Sequence, residues 1–234
     1  MRSDWSENAT LVGLHAGSNH AVDGDLDAGS FLLEMGGERF FSETGGESAN
    51  PMLQRRRAEG QNTVVVDPVP APAPDQNPDA ITGFTEMRSS EERAYVVADL
   101  SSISDRLERA KRGVLLDEGR TLAVVQDELV LNAPARVVWN AYTDAEVLPS
   151  SSGRALKLKK NGKMLLCRLC GVGSPARFVA EKVEGSRFTH LTFTVEGKER
   201  VRMAIACRLV EEETSFAEKL YEVVPMSTWS RPKN

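Results

Sequence analysis

Asp23, Asp25 and Asp27 alternate along the stretch from Asp23 to Phe31, so an extended chain carries their carboxylates on one side. Three carboxylates that close together repel one another unless a cation or hydrogen-bond donors intervene. Gly24 and Gly29 let the backbone turn tightly around such a centre. Two chemistries stay open. One is a solvated loop in which the aspartates cap and turn the chain. The other is calcium binding, because Asp23, Asp25, Asp27 and Glu34 fall at positions 1, 3, 5 and 12 of an EF-hand-like spacing. Ala28 stands at position 6, where that loop demands glycine, and Ser30 to Met35 reads as strand rather than helix. Both features argue against a true EF-hand and leave a simpler calcium loop possible.

Other residue types with chemical potential are scattered more widely. Arg55, Arg56 and Arg57 form a run that is either a solvated face or a bidentate grip on the sulfates or carboxylates of an acidic glycan. Cys167 and Cys170 make a lone C-x-x-C in a strand-like run, where residues three apart face opposite sides of a sheet. That placement favours packing or free thiols over a redox or metal pair, and three cysteines in all are too few for a disulfide framework. Trp139 and Tyr142 could stack on sugar rings, although on an alternating strand they read as core. Glu211 to Glu213 reads as surface.

The elements that must position these groups are short β-rich runs separated by turn signals, the pattern of an all-β antiparallel sandwich. Strands are expected at 10–14, 30–35, 38–42, 62–67, 94–100, 113–116 and 121–131. They continue at 135–142, 155–159, 163–169, 177–182, 188–195 and 200–210. Asn161-Gly162 is the strongest hairpin signal. Only 102–112 reads as a short helix. Residues 68–75, four of them proline, form a stiff connector, read as a surface loop within one domain of residues 1–225. Residues 226–234, next to Pro225 and containing Pro232, read as a loose tail.

The totals narrow the function. A chain of 234 residues, 41% hydrophobic and 27% charged, can bury a full core. Its net charge of −5 argues against coating nucleic acid. No apolar run approaches the roughly 18 residues of a membrane span. Met1-Arg-Ser-Asp-Trp5 has no positive-then-apolar segment, so no secretory signal is expected here.

Across nearly its whole length the chain resembles the heparinase II/III-like polysaccharide lyases, specifically their C-terminal β-sandwich. The resemblance rests on Met1 to Trp5, Leu14 to Asn19, Leu26 to Phe31, Gly37 to Phe40, Arg57 to Thr63, Asp75-Gln76 and Val96 to Leu100. It continues through Arg112 to Val114, Val125 to Glu128, and Trp139 to Ala145. It implies β-elimination at a uronic acid residue of an acidic polysaccharide. A base removes the proton α to the sugar carboxylate, whose charge must be neutralised as the enolate-like transition state forms. It also implies a preceding (α/α) toroid carrying a tyrosine and a histidine that move protons, and a location in the periplasm, the cell envelope or outside the cell.

The family motif His-x-His-x-Asp-x-Gly-Ser-Phe is altered here. Asp23 stands at the position of its catalytic histidine. A second carboxylate about 5 Å from the substrate's own costs roughly 3 kcal/mol at an effective dielectric of 20, so Asp23 needs an intervening cation. His20, three residues earlier, substitutes only if the loop is rearranged. The family's metal ligands map onto Asp25, Glu43 and Gln61. That all-oxygen set suits calcium, magnesium or manganese better than zinc. Alternatively, Gln61 hydrogen-bonds the two acids and no metal is present. The resulting expectation is part of a lyase that is inactive as an isolated chain, with a non-catalytic glycan- or calcium-binding module as the alternative.

Overall fold

The computed structural model describes residues 1–20, 24–44, 56–173 and 175–231. The first strands are β1 (Leu11–Leu14), β2 (Phe31–Met35), β3 (Glu38–Phe41), β4 (Val64–Val66), β5 (Gly83–Ser89) and β6 (Ala94–Asp99). Next come β7 (Leu107–Asp117), β8 (Leu122–Leu131), β9 (Ala135–Thr143), β10 (Glu146–Pro149) and β11 (Ala155–Lys160). The last are β12 (Lys163–Cys170), β13 (Val179–Lys182), β14 (Thr189–Gly197) and β15 (Arg200–Leu209). The described non-strand elements are single 3-10 turns, such as Ser101–Ile103, and no described helix is long and apolar enough to cross a membrane.

These strands build three antiparallel sheets, as the alternating runs require. The largest has the order β10-β11-β12-β15-β8-β7-β6-β5, and smaller ones run β1-β2-β3 and β13-β14-β9-β4. The main core lies between the large sheet and the two small ones. Trp139 of β9 sits at its centre, stacked on Phe193 with ring centroids 5.3 Å apart and 5.6 Å from Phe31. Trp139 is therefore core, as its alternation suggested. The Ser42 N–H donates to the Tyr142 carbonyl at 3.2 Å and so joins the two small sheets edge to edge.

The large sheet is covered on its other face as well. Tyr95, Leu115, Val124, Leu166 and Ala204 form a second core with Leu220, Met226 and Trp229 from the C-terminal segment. Strands buried on both faces read as nearly continuous apolar runs, which accounts for Leu122 to Val125. Cys167 and Cys170 face the two different cores, and all three cysteines are free thiols. Burial pushes the Cys170 thiol up to about 11, which suits packing rather than redox chemistry.

The structure corrects several expectations. Residues 102–112 are not helical: a 3-10 turn at Ser101–Ile103 leads into β7, whose ladders to β6 and β8 satisfy the backbone that a helix would have satisfied internally. β5 and β10 lack an alternating apolar signal because both are edge strands with mostly exposed or half-exposed side chains, and β5 carries a bulge between Phe84 and Glu86. Asn161 (φ 45°) and Gly162 (φ 75°) make the expected tight hairpin between β11 and β12. The tail is not loose over 226–229. Trp229 is 1% exposed and packs edge-on to Tyr95, with its indole N–H donating to the Tyr221 hydroxyl. Gly113 makes the room, since a Cβ there would stand 2.5 Å from the indole ring.

Trp229→Ala should therefore lower unfolding stability by roughly 3–5 kcal/mol in urea titration, as for other buried aromatic truncations. A change within about 0.5 kcal/mol would mean that the segment is an ordinary surface tail.

Candidate functional site

Two loops, residues 24–30 and 56–63, carry the described site residues other than Glu43, which follows β3. The first continues from β1: the His15 N–H donates to the Ser30 carbonyl at 2.7 Å, and the Gly29 N–H to the His15 carbonyl at 3.1 Å. Gly29 has a φ of +81°, and a Cβ on it would stand 2.6 Å from the Leu100 side chain, so the turn needs glycine on both counts. The second loop meets the first where the Leu26 N–H donates to the Arg56 carbonyl at 3.0 Å, over a small apolar cluster of Leu26, Ala58 and Val65. Leu26 is thus the fully inward residue between two half-exposed aspartates.

Arg112 of β7 fixes both loops from beneath. Its guanidinium is fully buried and donates twice to Asp127 of β8, at 2.7 and 2.9 Å. The remaining nitrogen donates to the Gly29 carbonyl at 2.7 Å and the Asn62 carbonyl at 3.0 Å. Asn62 extends the chain of contacts: its amide donates to the Phe31 carbonyl, and its side-chain oxygen accepts from the Tyr142 N–H at 2.8 Å. Thr63 donates to the Ala28 carbonyl at 2.7 Å. These contacts give partners to the Ala28, Gly29, Phe31 and Asn62 carbonyls and the Tyr142 N–H, which burial would otherwise strand.

A second set of polar groups lies on the outer face of the β9–β14 pair. The His190 and Tyr142 rings stack in parallel with centroids 4.5 Å apart, and Tyr142 donates its hydroxyl proton to the Glu59 carbonyl at 2.7 Å. The Asn140 side-chain amide donates to the Thr63 and Val138 carbonyls, which turns its oxygen toward His190 Nε2 at 3.0 Å. The imidazole proton therefore sits on Nε2. Burial pushes the His190 imidazole down to about 4 and the Tyr142 phenol well above its usual range. Near neutral pH the pair is an uncharged imidazole against an un-ionised phenol. Asp75 caps the 3-10 turn Ala58–Gly60 by accepting the Ala58 and Glu59 N–H groups, each at 2.8 Å. Burial raises its carboxyl despite those donors and the nearby Arg57.

Placed in this frame, the expected site residues divide. Asp23 and Arg55 lie outside the described residues. Arg57 is corrected from a glycan contact to a structural residue. Its side chain is buried, and it donates to Glu59 at 2.7 Å, to the Val69 carbonyl at 2.7 Å and to the Ala73 carbonyl, so it holds the proline-rich segment in place. Tyr142 is likewise withdrawn from sugar stacking, because His190 and Glu59 cover it. Asp25 and Gln61 lie on the two joined loops, with Asp25 Oδ1 and Gln61 Oε1 buried, whereas Glu43 is exposed. Among the described residues no three His, Cys, Asp or Glu side chains are grouped to hold a metal. The donor set is carboxylate and amide oxygen, which fits a hard cation and not zinc.

His20 bonds Asp79 at 2.8 Å on the surface, while His15 approaches Asp27 to 3.5 Å beside the acidic loop. Neither His15 nor His190 stood out in the sequence. Alternation along 188–195 places His190 outward, but nothing local shows that residues 56–60 fold over that face. His190 makes the site pH-sensitive. Its folded-state value lies below the ordinary 6.5, so its contribution is full above about pH 6.5 and is lost as pH falls from there through about 4. Stability should drop by roughly 3 kcal/mol across that window, and His190→Gln should flatten that part of the profile in urea titrations at stepped pH.

No family profile matches the chain, and no curated protein matches it. Solved structures do. The heparinase III BT4657 gene product superposes with a TM-score of 0.74 at 18% identity, over 90% of this chain and 34% of its own. Heparan sulfate lyase HepC from Pedobacter heparinus gives 0.76 at 14% identity, over 92% and 35%. A further heparinase III gives 0.69 at 16% identity, over 90% and 35%. The chain thus spans about a third of the length of the structures it matches, and over that third it has the β-sandwich fold of the heparinases.

Proposed function

We propose that this chain is the C-terminal β-sandwich portion of a heparinase II/III-like polysaccharide lyase. It would contribute to β-elimination on a uronate-containing acidic polysaccharide, working with an N-terminal (α/α) toroid in the periplasm, the cell envelope or outside the cell. One observation carries the reading: the heparinase sandwich fold over nine-tenths of the chain, with the acidic loop and the Gln61 loop packed against each other on it. The toroid would supply the proton-moving tyrosine and histidine. His190 and Tyr142 are poor replacements, since burial makes the half-covered imidazole a weak base and keeps the buried phenol from ionising near neutral pH.

On this reading the sandwich contributes the floor beneath the substrate. Asp25 and Gln61, with Glu43 from its exposed position, would hold a calcium-, magnesium- or manganese-like cation, and Arg56 would face the glycan's anionic groups. Such a cation supplies positive charge where the substrate carboxylate develops enolate character. Asp23 becomes tolerable beside that carboxylate only with such a charge between them.

The test is affinity electrophoresis through gels containing heparan sulfate, alginate or a neutral glucan, with calcium or with chelator, alongside an assay for unsaturated uronate. The expected result is retardation by an acidic gel alone, weakened by salt and by chelator, with no unsaturated product from the isolated chain. Equal migration in all gels would overturn the glycan reading, and product released by this chain alone would overturn the dependence on a toroid.

A further inference from the structure

The eight-stranded sheet ends at β5, which is hydrogen-bonded only on its β6 side. Both ends of its outer edge are closed. The Thr82 N–H donates to the Gly17 carbonyl at 2.8 Å, and the Arg120 guanidinium holds the Ser89 hydroxyl at 2.8 Å and the Ser90 carbonyl. Among the described residues nothing pairs with the outer edge between Gly83 and Arg88. This is an open backbone ladder six residues long.

The side chains on that stretch are not those of a guarded edge. Exposed edges are usually protected by like charges, prolines or bulges. A bulge between Phe84 and Glu86 is present, but it works differently here. Phe84 lies opposite Ala98 and Met87 opposite Val96, and both partners point into the main core, so the bulge sets Phe84 and Met87 on one face. Phe84 is 50% exposed, Met87 68% and the preceding Ile81 76%; they are three of the seven large apolar side chains exposed among the described residues. On the opposite face stand Arg88, largely in solvent, and the half-exposed Glu86, which accepts the Tyr95 hydroxyl proton and lies 3.9 Å from Arg88, so pairing across the axis would exchange this weak in-strand contact for two cross-strand ones.

We propose that this edge pairs with the same edge of a second copy of the chain, antiparallel about a two-fold axis through Met87. In that register Met87 meets its own counterpart, extending the apolar stripe across the axis. Glu86 of each copy faces Arg88 of the other, giving two cross-strand ion pairs on the other face. The opposite signs at positions 86 and 88 make the edge complementary to itself, which is the property a closed two-fold contact requires. The backbone pairing is confined to residues 86–88 of each copy, because Thr85 and Phe84 fall opposite the closed Ser89 and Ser90; it joins the two eight-stranded sheets there and leaves the loops at 24–30 and 56–63 outside the contact strand. It is independent of the lyase reading.

Sedimentation equilibrium on the intact chain tests this directly. A reversible dimer of twice 25.6 kDa is expected. Glu86→Lys and Arg88→Glu each place like charges opposite one another in their own dimers and should weaken self-association by about tenfold or more. An equimolar mixture of the two variants should regain the wild-type affinity, because each introduced charge then faces its opposite. That rescue separates an edge contact from a folding defect. A wild-type chain monomeric at every concentration, a dimer indifferent to both variants, or a mixture no tighter than either variant alone would overturn the proposal.

Discussion

The arrangement depends on one buried cation. Arg112 lies on the interior strand β7 with no solvent contact, and taking a guanidinium out of water costs several kcal/mol unless its donors are matched. They are matched from two directions: a bidentate carboxylate from the neighbouring strand, and carbonyls from two loops remote in sequence. The large sheet and the two loops at 24–30 and 56–63 are therefore held by one set of contacts. Asp127 neutralises the charge and also points the remaining nitrogen at Gly29 and Asn62. Lysine could not do this, because a point charge lacks the fixed fork of five donors.

That constraint decides which polar groups remain for chemistry. Asp75 is used as the cap of a 3-10 turn, Arg57 as the tie to the proline-rich segment, and Asn62 and Asn140 as bridges between loop and strand. His190 and Tyr142 are held uncharged by burial. What faces outward from the same scaffold is narrower: the Asp27 carboxylate with His15 beside it, the half-exposed Asp25 with one carboxylate oxygen buried, and part of Arg56. The chemistry on offer is that of oxygen ligands and ion pairs, with no nitrogen-rich metal centre among the described residues.

Much of this was legible in the sequence, for local reasons. Alternation fixes which side of a strand is buried, so the core role of Trp139 and the opposite facing of Cys167 and Cys170 could be read directly. Asn161-Gly162 specifies its own turn. What could not be read is tertiary. β5 has no apolar periodicity because it is an exposed edge, and 107–112 looked helical because its charged residues mask a strand buried by its neighbours. Arg57 looks like a surface cation in a run of three, and only the packing of residues 69–73 around it shows otherwise. His190 lies far along the chain from the loop that covers it.

The most direct test of this account is amide hydrogen exchange on the intact chain and on Arg112→Met, which keeps bulk but removes the charge and the donors. Opening of the two loops should become a single event: the amides of Gly29, Phe31, Thr63 and Tyr142 should exchange much faster together, while the β11–β12 and β9–β14 ladders stay protected. If the substitution instead loosens β7 and β8 alone and leaves those loop amides protected, Arg112 is a local core residue and does not organise the site.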